Sequence, residues 1–128
     1  MPIAYSIDRE NGCILETWTG DVTARELMAH WRRYLADPDV LALRRTLVDL
    51  RHCHILFTAA ELSEMVSRIV LPALQGRRWR TAIVLGDPSH FEMSRQYHAF
   101  AESYSKDSVF STPEAALAWL RSQRLQSP

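Results

Sequence analysis

The sequence predicts one α/β domain, a single-layer, mixed, mainly parallel five-stranded sheet with an N-terminal β-hairpin and four flanking helices, in the order β-β-α-β-α-β-α-β-α. Three observations carry this. Two segments with strand-like alternation open the chain, strand-like and helix-like periods then take turns, and no repeat, low-complexity tract or linker composition divides them. At 128 residues and 14.7 kDa the chain has room for one core and not for two ordinary domains. Residues 1–123 are expected to form the domain, and "RLQSP", 124–128, a frayed tail.

In "IAYSID", Ile3, Tyr5 and Ile7 alternate as in a strand with one buried face; "RENG" supplies the turn and "CILETWTG" the return strand. "DVTARELMAHWRRYLADP" places Leu27, Met28, Trp31, Tyr34 and Leu35 at helical spacing, with Pro38 just beyond. "TLVDL" reads as a mostly buried strand running to Leu50. "TAAELSEMVSRIVLPAL" then carries Leu62, Met65, Val66, Ile69 and Val70 on one helical face until Pro72 interrupts it. "TAIVL", Thr81 to Leu85, has the continuous apolar run of a central strand covered on both faces. A third helix follows with Met93, Tyr97, Phe100, Ala101 and Tyr104 at its spacing, then the short strand "SVF" and the helix "TPEAALAWLRSQ". Four Ser/Thr-x-x-Glu pairs, Thr23 with Glu26, Thr58 with Glu61, Ser89 with Glu92 and Ser111 with Glu114, read as capping boxes at the helix starts.

Fifteen basic side chains balance fifteen acidic ones, so no global field attracts nucleic acid or an anionic membrane. No window approaches the run of about eighteen apolar residues that spans a bilayer, and "MPIAYSIDRE" lacks the basic-then-apolar form of a secretory leader. A cytoplasmic protein is expected, with no nucleic-acid partner and no stable membrane insertion. Cys13 and Cys53 are expected to be two free thiols.

With this order of elements, "WTGDVTARELM", "LVDLRHCHILFTAAEL", "TAIVLGDP" and the closing "VFSTPEAALAWL" resemble the SpoIIAA-like branch of the STAS superfamily, the STAS/SEC14 domain-containing proteins, over nearly the whole chain. The resemblance implies a mixed sheet flanked by helices, and roles in protein interaction, signal relay or small-ligand sensing. In the superfamily's anti-sigma-factor antagonists, a strand leads to a "DSSG"-type turn whose serine is phosphorylated at a helix N-terminus. Here the matching region reads "DLRHCHILFTAAE", without a serine pair or glycine, so the usual serine phosphoswitch is expected to be missing. Thr58 is the one hydroxyl near that helix start. The helix dipole would favour a phosphate on it, while capping already accounts for its presence.

Loops that follow parallel strands gather on one edge of an open sheet, the usual place for ligands. "RHCHILF" and "GDPSHF" would bring Arg51, His52, His54, Asp87, Ser89 and His90 to that edge, which makes these six the candidate binding surface. His52 and His54, two apart in an extended segment, project to the same side, where His90 or Asp87 would complete a three-ligand metal set. The pattern lacks an HExxH or paired CxxC signature, so no metal is assigned, and no cofactor. Cys53 has no evident base or pKa-lowering neighbour and reads as buried and inert; His98 reads as a helix-surface histidine, although a general base is open to it. Asp49 and Arg51 read as an ion pair or loop anchor. Arg77, Arg78 and Arg80 read as a solvated turn, with Trp79 beside them offering stacking but no nucleic-acid motif. Trp31, Tyr34, Tyr97, Phe100, Tyr104 and Trp119 are mostly core by spacing.

The first functional reading is a non-enzymatic regulatory or interaction module with a possible protein partner, expected to form a homodimer. The alternative is a carrier or sensor of a small apolar, lipid-like ligand, if a crevice opens between helix and sheet. A third reading, a metal-dependent or Cys/His enzyme working at the loop edge, has the least support.

Overall fold

The opening alternation does what its period dictates. In the computed structural model, which describes residues 2–123, β1 (Ile3–Asp8) and β2 (Cys13–Val22) pair antiparallel, with Ile3 opposite Trp18 and Ile7 opposite Ile14. Three further strands add in parallel: β3 (Arg45–Ile55), β4 (Trp79–Val84) and β5 (Ser105–Phe110). Their spatial order is their chain order, β1-β2-β3-β4-β5. The tail expected at 124–128 lies outside the described residues.

That sequential order decides where the helices go. Crossovers between parallel strands are right-handed in nearly all proteins, so a sheet that always grows in one direction carries its connecting helices on one face. Accordingly α1 (Ala24–Tyr34), the rod that begins at α3 (Ala59–Met65), and α5 (Ser89–Ala101) contribute to the larger buried cluster with Trp18, Leu50 and Ile83. The C-terminal helix α6 (Pro113–Ser122) covers the opposite face, where Ala116 and Leu120 pack on Cys13, Leu47, Ala82 and Val84.

Local details differ from the sequence reading in four places. Pro38 does not only stop α1; it occupies the first turn of a further short helix, α2 (Pro38–Leu43), with Asp37 as N-cap accepting the Asp39 N–H at 2.9 Å. Pro72 does not end the third helix either. After α3 the backbone widens into a π-helical segment, Val66–Val70, and then continues as α4 (Leu71–Leu74), which places Pro72 in the first turn of a helix, where its missing N–H and ring are tolerated. Two of the four capping boxes form completely, at Thr23/Glu26 and Thr58/Glu61. Ser89 instead lies inside α5 and its own N–H is held by the Asp87 carboxylate at 2.9 Å, while α6 is capped one residue later than expected, by Thr112 onto the Ala115 N–H.

The fourth difference bears on the site. β3 does not end at Leu50, and Arg51 to His54 are strand rather than loop. Thr17 pairs with Asp49 but Thr19 pairs with His52, so β3 carries one extra residue, a β-bulge. The Asp49 carboxylate accepts the Arg51 N–H at 3.0 Å and clamps its guanidinium at 3.0 and 2.9 Å, the ion pair expected from sequence. Because strand side chains alternate, one extra residue reverses which of them face inward. Leu47 packs under α6, whereas Cys53, Ile55 and Phe57 turn to the other core, and His52 and His54 are left exposed.

Candidate functional site

The expected loop edge forms, but as an open surface. Gly86, at the exit of β4, lies against the bulge; a Cβ there would stand 3.3 Å from the Arg51 Cα, Cβ and Cγ, so glycine lets the two connections touch. Arg51, His52, His54, Asp87 and Ser89 are all exposed around that contact. The Asp87 carboxyl sits below the usual range because the Ser89 backbone N–H bonds to it, with smaller contributions from the nearby His90 and His54. His90 leaves the surface: it is buried in the first turn of α5, and among the described residues its Nδ1 has no partner. His54 instead faces Asp21 across the strand pair, with Nδ1 3.4 Å from Oδ1 and both side chains exposed. Among the described residues no three His, Cys, Asp or Glu side chains approach closely enough to hold a metal ion, so His52, His54, Asp87 and His90 do not converge on one point. The reason lies in the topology. Ligand crevices of open α/β sheets form where strand order reverses and neighbouring crossovers part to opposite faces, and this sheet never reverses.

Nor does the edge supply a nucleophile. Cys53 is buried, its thiol donates weakly to the Leu50 carbonyl at 3.6 Å, and burial pushes its pKa up to about 11, so the thiolate is scarce at neutral pH. The Thr58 hydroxyl accepts the Glu61 N–H at 3.1 Å while Glu61 reaches back to the Thr58 N–H at 2.9 Å, a complete cap. Arg77 and Arg78 are exposed, whereas Trp79 is buried and donates through Nε1 to the Thr46 hydroxyl at 3.0 Å, away from any nucleic acid.

The concentrated chemistry is inside. Between the sheet and the helices of the larger core the side chains leave a cavity of about 100 Å³. Its floor follows the sheet register: Glu16 of β2, Val48 of β3 and Ile83 of β4 lie in one row, and Thr46 and Thr81 in the next. Leu27 and Trp31 of α1 with Leu35 just past its end, Leu62 and Val70 of the central rod, and Met93 and Tyr97 of α5 line its helix side. Val48 stands in the middle strand of the sheet yet is only half-buried, as expected for a floor residue with open space above it. Unfilled core volume costs about 24 cal/mol per Å³, so packing of this order forgoes about 2 kcal/mol.

Glu16 is the unusual member. It is 4% exposed, accepts the Trp18 Nε1–H at 2.7 Å, and lies 2.9 Å from Nε2 of His30, which is fully buried. Among the described residues the His30 Nδ1 makes no hydrogen bond. Toward β5, the Tyr97 and Tyr104 hydroxyls bond to each other at 2.9 Å, and Asp107 of β5 accepts the Ser105 hydroxyl on Oδ1 while Oδ2 lies 3.8 Å from the His98 Nδ1. Burial raises the Asp107 carboxyl and, with the charges of Asp107 and Glu16 contributing, pushes the Tyr97 phenol well up. Glu16 and His30 were not among the candidates read from sequence, although a signal existed. Glu16 occupies the inward parity of Ile14-Glu16-Trp18, and His30 sits on the apolar stripe of Leu27, Trp31 and Tyr34: polar groups at core positions, which demand partners.

No family model matches the chain, and no curated protein matches it. Solved structures do. An uncharacterized protein of the DUF3478 family with a SpoIIAA-like fold, from Shewanella loihica PV-4, aligns with a TM-score of 0.63 at 18% identity, over 92% of this chain and 93% of that one. The anti-sigma factor antagonist SpoIIAA in its unphosphorylated form aligns with a TM-score of 0.54 at 11% identity, over 93% of this chain and 97% of that one. The fold is SpoIIAA-like, as the resemblance in sequence layout implied.

Proposed function

We propose that this chain is a non-enzymatic regulatory module in which a small, largely apolar ligand, seated between sheet and helices, sets the state of the protein. The single observation that carries this is the cavity of about 100 Å³ with its aromatic and aliphatic walls and one buried carboxylate. Pockets that bind small molecules have this character, apolar walls with few placed polar groups, and a cavity of this order accommodates a ring-sized molecule. The SpoIIAA-like fold is consistent with a regulatory role. The serine phosphoswitch is absent in this reading, and Thr58 acts as a helix cap.

The output surface in this reading is the loop edge. Arg51, His52, His54, Asp87 and Ser89 would meet the partner together with the exposed Leu56 and Phe91, each two residues beyond an edge residue in sequence. That partner is a protein, a second copy of the chain among the candidates; native mass spectrometry at micromolar concentration that finds only monomer removes the second copy.

The test is a screen of compounds of ring size, neutral and charged, by ligand-observed NMR with thermal shift. Binding that is lost in Val48→Phe and in Ser94→Leu, two variants that fill the cavity from the sheet side and from the helix side, supports the reading. Both variants are first checked for a cooperative urea transition. No binding to the native protein, or binding unaffected in a folded filling variant, sinks it.

A further inference from the structure

We infer that the cavity selects a small organic cation, an ammonium group on a hydrocarbon or aromatic body, with Glu16 as its counter-ion. The inference rests on the cavity being a ligand site and adds the charge of its occupant.

The lining contains one ionisable carboxylate, that of Glu16, and no lysine, arginine or histidine. Glu16 is held at its place by two contacts, the Trp18 Nε1–H at 2.7 Å and the His30 Nε2 at 2.9 Å. A carboxylate offers about four lone-pair sites, so these two contacts leave roughly half of its accepting capacity unused, and Glu16 is among the residues that line the cavity. Its one titratable partner among the described residues is the His30 imidazole; no guanidinium or ammonium reaches it. Taking a carboxylate out of water is costly, and a cation brought by a ligand would add to the compensation that Trp18 and His30 already give.

The walls complement the same charge. Trp18, Trp31 and Trp79, with Tyr34, Tyr97 and Tyr104, all line the cavity. Aromatic faces carry negative potential and attract ammonium groups by about 0.5–2 kcal/mol each, most strongly where water is excluded. The phenols of Tyr34 and Tyr97 are pushed up chiefly by burial, with Glu16 among the further causes, and the lining offers them negative rather than positive side-chain charge. Asp107, whose side chain is nearly fully buried on the outer strand of the same face, adds to it. An anionic ligand would meet this potential and no cationic side chain. A neutral ligand would gain the apolar contacts but leave Glu16 as it is. Cavities of roughly 150 Å³ take up benzene, so this volume limits the enclosed body to about one small ring at most.

The test compares three probes of nearly equal size, benzylamine, benzyl alcohol and benzoate, titrated at pH 7 into the full chain and read by protein chemical shifts and calorimetry. Benzylamine is expected to bind at least tenfold more tightly than benzyl alcohol, and benzoate not at all. Glu16→Gln is expected to bring benzylamine down to the level of benzyl alcohol without changing the latter, and Trp31→Leu to weaken benzylamine more than benzyl alcohol. If Glu16→Gln fails to fold, the three-probe comparison on the native protein and Trp31→Leu still decide. Benzyl alcohol or benzoate binding as tightly as benzylamine overturns the charge assignment and leaves the ligand reading standing. Absence of binding by all three, together with a negative screen, overturns both.

Discussion

The loop edge and the interior cavity divide the polar side chains of this fold between two environments, and the same residue types behave differently in each. At the edge, His54 and Asp21 stand 3.4 Å apart, both more than two-thirds exposed, in water that screens them and pairs with them. In the core, His30 and Glu16 stand 2.9 Å apart with neither more than 5% exposed. There no solvent substitutes for a lost partner, and every donor and acceptor has to be satisfied by the fold or by whatever enters the cavity. The edge carries exposed groups that water satisfies, whereas the interactions that constrain structure and recognition are inside.

The comparison is broken most forcefully by His30→Ala. Removing one member of a buried pair leaves the other uncompensated, and a loss of about 3–5 kcal/mol is expected in urea unfolding at neutral pH. A loss below about 1 kcal/mol would mean that Glu16 reaches water once its partner is removed.

Asp107→Asn sharpens the same side. The Asp107 carboxyl is raised above its ordinary value of 3.8, chiefly by burial, so the folded state holds that proton more tightly than the unfolded chain. Its contribution is fully present below pH 3.8 and is lost as pH rises through the folded value, which makes ionised Asp107 a destabilising group. The variant is therefore expected to gain stability relative to the parent between about pH 3 and pH 7. A pH-independent difference in unfolding free energy would contradict the assignment.

The helix starts give an intermediate case. Thr58→Ala removes a complete capping box and is expected to cost about 1 kcal/mol. Ser89→Ala, which has the same Ser/Thr-x-x-Glu spacing, is expected to cost clearly less, because Asp87 rather than the serine holds the backbone there. Equal losses in thermal unfolding would return Ser89 to the role its spacing suggests. The smallest effect belongs to the edge: His52→Ala and His54→Ala, singly or together, are expected to change stability by no more than about 0.5 kcal/mol, as for exposed positions generally. A larger change would show that the edge is tied into the fold more tightly than its exposure indicates.

Much of the architecture was legible because it depends on period. Ile3, Tyr5 and Ile7 set the hairpin face, and Leu27, Trp31 and Tyr34 the face of α1. The ion pair of Asp49 with Arg51 and the burial of Cys53 also followed from spacing. The bulge after Asp49 did not. An extra residue in one strand is defined only by its partner strand, and without that register Arg51 to His54 read as loop. The π segment before Pro72 and the helix after Pro38 show the same limit: proline announces a disturbance, and its surroundings decide whether the helix ends, widens or begins.

By itself the sequence determined the alternation of elements and the sheet with its opening hairpin, because each is written in neighbouring residues. Which face the crossovers share was decided by the strand order. Only the tertiary structure brought Glu16 to His30 across fourteen residues and left open space beside them. Volume between packed layers is a property of how faces meet, and no local pattern encodes it.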